Sequence, residues 1–240
     1  MLRAIFFDAA GTLFDAREPV GRTYARIARK HGLDAPDEAV TAGFRRAFGS
    51  SGGLAFGPGH EAAELRRMER RWWSELVRRS FAGLGEFDDF DAFFDELFAY
   101  FAAPEHWEPM PEATEVLSRL KQGGFKLGII SNFDYRLLRI LEGLGLASYF
   151  DSITISSEAG FAKPAGEVFA AAIGRLGVKG SEAIHVGDSE HMDFHGARKA
   201  GMAAILIEPA GEAAHRMDGR GARVRSLASV IDVVQLLRFA

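Results

Sequence analysis

From residue 108 onward, short apolar runs and amphipathic runs alternate one for one, a pattern that a parallel sheet with helical crossovers satisfies and few other folds do. Ala113, Val116, Leu117 and Leu120 follow the i, i+3, i+4, i+7 spacing of a helix face, and Phe125 to Ser131 follows as a buried strand. Leu137, Leu138, Leu141 and Leu144 mark the next helix, and Ile153 to Ile155 the next strand. The series continues with a helix over Ala165 to Leu176, a strand over Ala183 to Val186 and a helix over His191 to Ala200. A strand over Ala203 to Ile207 and a last helix near Ser226 to Leu237 complete it. At the start, Leu2 to Phe7 reads as one further buried strand that ends abruptly at Asp8 and the turn Ala9-Ala10-Gly11-Thr12.

Between these parts the pattern is helical only. Pro19 to His31, closed by Gly32, Pro36 to Phe48, Glu61 to Arg79, and Asp88 to Phe101, stopped by Pro104, predict four helices and no strand. Residues 49–59 are too rich in glycine for regular structure and long for a simple connection; with His60 they read as a surface loop or a mobile lid. The arrangement predicts a doubly wound, Rossmann-like α/β core over residues 1–15 and 108–240, with an inserted helical bundle over 16–107. Within the insert, Arg66, Arg67, Arg70 and Arg71 alternate with Glu64, Glu69 and Glu75 as on a solvated helix face. Trp72 and Trp73 read as filling of the bundle core, with substrate contact as the alternative, and Lys30 as a cation at a helix end.

Composition narrows the chemistry. The chain has 240 residues and no cysteine, so thiolate nucleophiles, Cys-ligated metals and disulfides are excluded and any reaction must use oxygen or nitrogen groups. A net charge of -4 with interspersed basic clusters offers no general attraction to nucleic acid. No apolar run approaches the roughly 18 residues that a membrane span needs, and the N-terminus lacks a signal-peptide pattern. A cytoplasmic protein, monomer or homodimer, acting on a small molecule is the expectation.

In an open parallel sheet, ligands bind beyond the carboxyl ends of the strands. Those ends deliver Asp8, Ser131-Asn132 and Gly187-Asp188-Ser189, with Lys163-Pro164 in the connection after the third strand. A nucleophilic carboxylate, a hydroxyl, an ammonium and a second carboxylate thus converge on one rim. The amides of the Ala10-Gly11-Thr12 turn are candidates to cradle oxyanions, and the nearness of Asp8 to Asp188 calls for a proton or a cation between them. Mg²⁺ suits such oxygen ligands and clamps phosphate.

Asp8-Ala9-Ala10-Gly11-Thr12-Leu13, Ser131-Asn132, Lys163-Pro164 and Gly187-Asp188-Ser189 through Asp193, in this order, resemble the four motifs of the haloacid dehalogenase (HAD) superfamily. The resemblance covers almost the whole chain and is nearest to subfamily I, whose helical C1 cap corresponds in position to the insert. It implies a hydrolase with Asp8 as nucleophile and with Gly11, Thr12, Ser131 and Asn132 around the substrate. Lys163 would steady the nucleophile and its intermediate, and Arg45 is the best cap match for an arginine that binds a substrate carboxylate. Mg²⁺ would be held by Asp8, the Ala10 carbonyl and Asp188, with Asp193 beside the ion or bound to it.

One departure matters. Family phosphatases carry an aspartate two residues after the nucleophile, and here that position is Ala10. The missing group protonates an alkoxide leaving group, a contribution of about 10² to 10⁴ in rate, or roughly 3 to 5.5 kcal/mol. Halide, acyl phosphate, phenolate and carbanion leaving groups need no such proton. Phosphonoacetaldehyde hydrolysis would also need a Schiff-base lysine in the cap, where only Lys30 occurs.

Charge counting separates the leading readings. Asp8, Asp188 and Lys163 sum to -1 without metal and +1 with Mg²⁺, or near zero if Asp193 is included. An anionic substrate is therefore better served by a metal-assisted phosphohydrolase than by a metal-free 2-haloacid dehalogenase. A non-catalytic binding protein stays open because of Ala10. His191 and His195 have zinc-like i, i+4 spacing but no other convincing ligand, and read as surface residues.

Overall fold

A computed structural model describes residues 1–209 and 215–238. Its sheet contains β1 (Ala4–Phe7), β4 (Lys126–Ser131), β5 (Ser152–Ile155), β6 (Ala183–Gly187), β7 (Ala203–Ile207), β8 (His215–Asp218) and β9 (Gly221–Val224) in the order β5-β4-β1-β6-β7-β9-β8. All neighbours are parallel except the hairpin β8/β9. β1 lies between β4 and β6, with Phe7 opposite Ile129 on one side and Val186 on the other. The winding reverses at this point, so the residue after Phe7 stands in the crevice where such sheets bind ligands.

Strand residues alternate between two apolar layers, as the two-residue period requires. Ile5, Phe7, Leu127, Ile129, Ile184 and Val186 pack with α5 (Ala113–Gln122), α6 (Arg136–Gly143) and α10 (Val230–Arg238). Ala4, Phe6 and Ile130 pack on the other face with α8 (Gly166–Leu176) and with Phe194 and Ala197. The doubly wound α/β architecture is the one expected. Three parts were not: the β8/β9 hairpin, a short antiparallel ribbon where the insert joins the core, and a π-helical turn Glu190–His195 leading into the short α9 (Gly196–Lys199), where one continuous helix was expected.

The insert comprises α1 (Val20–Lys30), α2 (Asp37–Gly49), α3 (Ala62–Ser80) and α4 (Phe90–Tyr100), closed around Tyr24, Ile27, Val40, Val77, Phe81, Phe93 and Leu97. Lys30 lies in the last turn of α1, as a helix-end cation should, and pairs with Glu96 at 2.5 Å. A ribbon of β2 (Phe14–Ala16) and β3 (Trp107–Pro109), pairing Asp15 with Glu108, joins the two chain crossings. The boundaries expected at 15/16 and 107/108 fall inside this ribbon.

The glycine-rich segment is tied to the core. Leu54 is buried and its carbonyl accepts from Ser156 Oγ at 2.6 Å, while the Gly57 amide donates to the Gly160 carbonyl at 3.1 Å. A Cβ on Gly160 would stand 2.4 Å from the Gly57 carbonyl carbon, so this seam requires glycine there. Glu69 is also part of the seam and corrects the expectation of a solvated face on α3. It is fully buried, and its Oε1 accepts from Ser157 Oγ at 2.5 Å on α7 (Ser156–Ala159).

Candidate active site

Asp8 extends β1 by one residue, its amide donating to the Val186 carbonyl at 2.8 Å, which fixes the carboxylate at the rim. Lys163 Nζ lies 2.7 Å from Asp8 Oδ1 and 2.5 Å from Asp193 Oδ1, with the lysine side chain 3% exposed. Asn132 holds that lysine by its backbone: the Lys163 amide donates to Asn132 Oδ1 at 2.8 Å, and Asn132 Nδ2 donates to the Lys163 carbonyl at 3.0 Å. Asn132 therefore positions the ammonium as well as lining the site. Ser131, at the end of β4, is buried and faces the same cavity.

Asp188 follows β6. Gly11, with φ of +88°, makes room for it: a Cβ there would be 2.7 Å from Asp188 Oδ2. Thr12 Oγ1 donates to Asp188 Oδ1 at 3.3 Å. Of the Ala10-Gly11-Thr12 amides expected to cradle oxyanions, two are used within the turn: the Gly11 amide donates to the Phe14 carbonyl at 2.9 Å and the Thr12 amide to the Ala9 carbonyl at 3.3 Å. The tight turn consumes these donors in closing itself. Gly11 and Thr12 shape and hold the Asp188 side of the site instead.

Asp193 is fastened from three sides. His185 Nε2 meets its Oδ1 at 2.8 Å beside Lys163, and the Ser189 amide donates to Oδ2 at 3.0 Å. His185 was missed in the sequence. The available signal was a histidine inside the apolar strand run Ala183 to Val186, where a buried imidazole needs a polar partner.

Oxygen atoms of Asp8, Asp188 and Asp193 lie within 4.8 Å of one another. Burial, reinforced by Asp193 and opposed by Lys163, holds the Asp8 carboxyl above the ordinary carboxylate pKa. Burial and the charges of Asp8 and Asp193 push Asp188 up to about 6. Burial works against the Lys163 ammonium, but Asp193 and Asp8 outweigh it and keep its pKa above the usual lysine value. Burial likewise opposes ionisation of Asp193, yet Lys163 and His185 hold it well below the carboxylate range.

The rim opens into a cavity of about 420 Å³ between sheet and insert. Its far wall carries Phe44, Trp73, Phe94, Phe98, Phe101 and Trp107, and Asp15 lies on its border. Trp73 thus borders the site as well as packing against the bundle core, and its Nε1 donates to Asp134 Oδ2 at 2.6 Å. Arg45 does not join the site. It is exposed on α2, where the helical turn puts its neighbour Phe44 on the cavity side. His191 and His195 are exposed, as surface residues should be.

The family model for haloacid dehalogenase-like hydrolases matches residues 2–201. The chain belongs to that family. It is accordingly a hydrolase. A bovine (Bos taurus) relative, haloacid dehalogenase-like hydrolase domain-containing protein 3, is 34% identical over 210 residues, covering 86% of this chain and 82% of the relative. A glyceraldehyde 3-phosphate phosphatase of Methanopyrus kandleri is 30% identical over 213 residues, covering 86% and 84%. Among solved structures, the HAD-hydrolase YfnB of Bacillus subtilis bound to magnesium superposes with a TM-score of 0.74 at 19% identity, covering 98% of this chain and 99% of that one. L-2-haloacid dehalogenase of Xanthobacter autotrophicus gives 0.70 at 20% identity and the same coverage. At these identities the two structures show the shared fold.

Proposed function

We propose that this hydrolase is a Mg²⁺-dependent phosphohydrolase that forms an aspartyl-phosphate on Asp8 and acts on a small phosphate ester or anhydride. The observation that carries the reading is the crowding of Asp8, Asp188 and Asp193 around the single ammonium of Lys163. Three carboxylates against one cation leave the rim two charges negative, which repels any anionic substrate and favours a divalent cation. Burial, together with the same repulsion, pushes Asp188 up to about 6. Asp8, Asp188 and the Ala10 carbonyl would hold Mg²⁺; Asp193, with both oxygens engaged by protein groups, serves it from beside. Mg²⁺ supplies charge neutralisation of the transferring phosphoryl group.

The chain's own groups carry the rest. Lys163 keeps the attacking oxygen of Asp8 oriented and its charge compensated, and Asn132 and Asp193 keep Lys163 in place. Ser131 faces the cavity at the substrate end. Asp8 attacks phosphorus, the leaving oxygen departs with its electron pair, and water then cleaves the aspartyl-phosphate to return Asp8. Ala10 offers no proton to the departing group, so good leaving groups are favoured.

Halide displacement from a 2-haloacid is the second reading, favoured by Ala10 and opposed by the uncompensated charge of the rim. Phosphate release from acetyl phosphate and from aryl and alkyl phosphates, and halide release from 2-chloropropionate, distinguish the two when measured with and without Mg²⁺. Mg²⁺-dependent phosphate release abolished by Asp8→Asn is the expected result. Metal-independent halide release would replace this reading with the other.

A further inference from the structure

The cavity behind the rim is built for something other than a small polar metabolite. On the side of the insert it is lined by the aromatic side chains of Phe44, Trp73, Phe94, Phe98, Phe101 and Trp107. Among the described residues that line the cavity, the basic side chain besides Lys163 is Arg136 on α6, and it is already committed. Its Nε and Nη2 donate to Asp134 Oδ1 and Oδ2 at 2.9 and 2.6 Å, Nη1 donates to the Phe98 carbonyl at 3.4 Å, and the guanidinium lies 3.9 Å over the Phe98 ring. Asp134 itself is fully buried, so withdrawing Arg136 would strand a carboxylate. A second anionic group on the substrate would meet no available cation there, and the nearby Asp15 is of the wrong charge.

The volume, about 420 Å³, exceeds what a phosphate group needs and lies within the range of sites for small organic molecules. Aromatic walls select flat apolar groups by stacking and edge contacts. Ala10 adds an independent constraint. A phenol ionises near pH 10, whereas an alcohol is closer to water at about 16, so a phenolate leaves without a general acid and an alkoxide does not.

Resting on the phosphohydrolase reading, we propose that the substrate is an aryl phosphate monoester, its uncharged ring against Phe44, Trp73, Phe94 and Phe98 and its phosphate at Asp8 and Lys163. Asp8 forms the bond to phosphorus while the bond from phosphorus to the phenolic oxygen breaks, and the electron pair leaves on the phenolate. The phenolate takes a proton from solvent. Water hydrolyses the aspartyl-phosphate, giving inorganic phosphate, so that ester plus water yields phenol plus phosphate.

The test uses the full chain with Mg²⁺ and compares kcat/KM for phosphate release from 2-naphthyl phosphate, glyceraldehyde 3-phosphate and acetyl phosphate. Acetyl phosphate has a good leaving group but no ring, so it reports the phosphoryl chemistry by itself. Naphthyl phosphate is expected to exceed glyceraldehyde 3-phosphate by at least about 10², the general-acid contribution that only the alkyl ester needs and Ala10 does not supply. Phe44→Ala should lower the ratio of naphthyl to acetyl phosphate turnover by about tenfold through lost ring contacts. Phe48→Ala, at a cavity position 43% exposed and therefore harmless to folding, should lower the same ratio in the same direction. Turnover of acetyl phosphate with no preference for the naphthyl ester, or a ratio that neither substitution changes, would overturn the aryl assignment and leave the phosphohydrolase standing. Silence on all three substrates would overturn both.

Discussion

Replacing Glu69 with glutamine should stabilise the protein at pH 8 and leave it nearly unchanged at pH 4. Glu69 is fully buried at the seam between α3 and α7; its Oε1 accepts from Ser157 Oγ, and its Oε2 has no partner. Burial, with Asp134 and Glu158 adding repulsion, pushes its pKa up to about 7 from 4.5. The folded state therefore keeps a proton that the unfolded chain releases near 4.5. Across this window the native form binds more protons, so this residue's contribution to stability is full below about pH 4.5 and falls as pH rises through 7. A difference of about 2.5 pH units corresponds to at most about 3.4 kcal/mol, of which about 2 kcal/mol is expected once the seam relaxes around the charge. Glutamine keeps the acceptor oxygen and removes the titration. Thermal unfolding of both proteins from pH 4 to 8, at one fixed Mg²⁺ concentration so that Asp188 contributes equally, should show curves that nearly coincide at pH 4. By pH 8 the variant should melt about 4 to 8 °C higher, at roughly 2 to 4 °C per kcal/mol for a chain of this size. Parallel pH profiles, or a variant less stable at pH 8, would refute the assignment of a buried, proton-retaining glutamate.

Three further outcomes follow from the site. Ala10→Asp should raise alkyl phosphate turnover by up to about 10² to 10⁴ while changing aryl phosphate turnover little, and steady-state kinetics on the two substrates checks the difference. Lys163→Met should abolish turnover and destabilise the fold by about 3 to 5 kcal/mol, because it leaves the buried Asp8 and Asp193 carboxylates without their common cation; denaturant unfolding measures it. Gly11→Ala combines a disfavoured φ with a Cβ 2.7 Å from Asp188 Oδ2, so loss of about 1 to 2 kcal/mol and weakened Mg²⁺ binding by calorimetry are expected.

The sheet was legible because its strands and helices differ in hydrophobic period and alternate, and the rim was legible because the chemically loaded residues stand at strand ends. Asp8, Ser131, Lys163, Asp188 and Asp193 are where that logic puts them. Asn132 and Thr12 come to the site, but through contacts with Lys163 and Asp188 that spacing does not reveal. Arg45 rests on likeness to a cap arginine of the family, which takes no account of the helical phase that turns Phe44 to the cavity. Glu69 was hidden by its surroundings: four arginines around it suggest a wet face, and only the docking of α3 on α7 buries it. The glycine-rich segment was read from composition, which cannot tell a free loop from one fastened by Leu54 and Gly57 to the core. Its proximity to Ala162 and Gly160 is a tertiary fact.

The central claim is that Asp8 carries the phosphoryl group. Acid quenching during turnover of an aryl phosphate, followed by mass spectrometry of the peptide containing Asp8, tests it directly. This peptide should gain the mass of one phosphoryl group, only when Mg²⁺ is present, and Asp8→Asn should remove the gain. A protein that turns the substrate over with Asp8 unmodified and a phosphoryl group on another residue would contradict it.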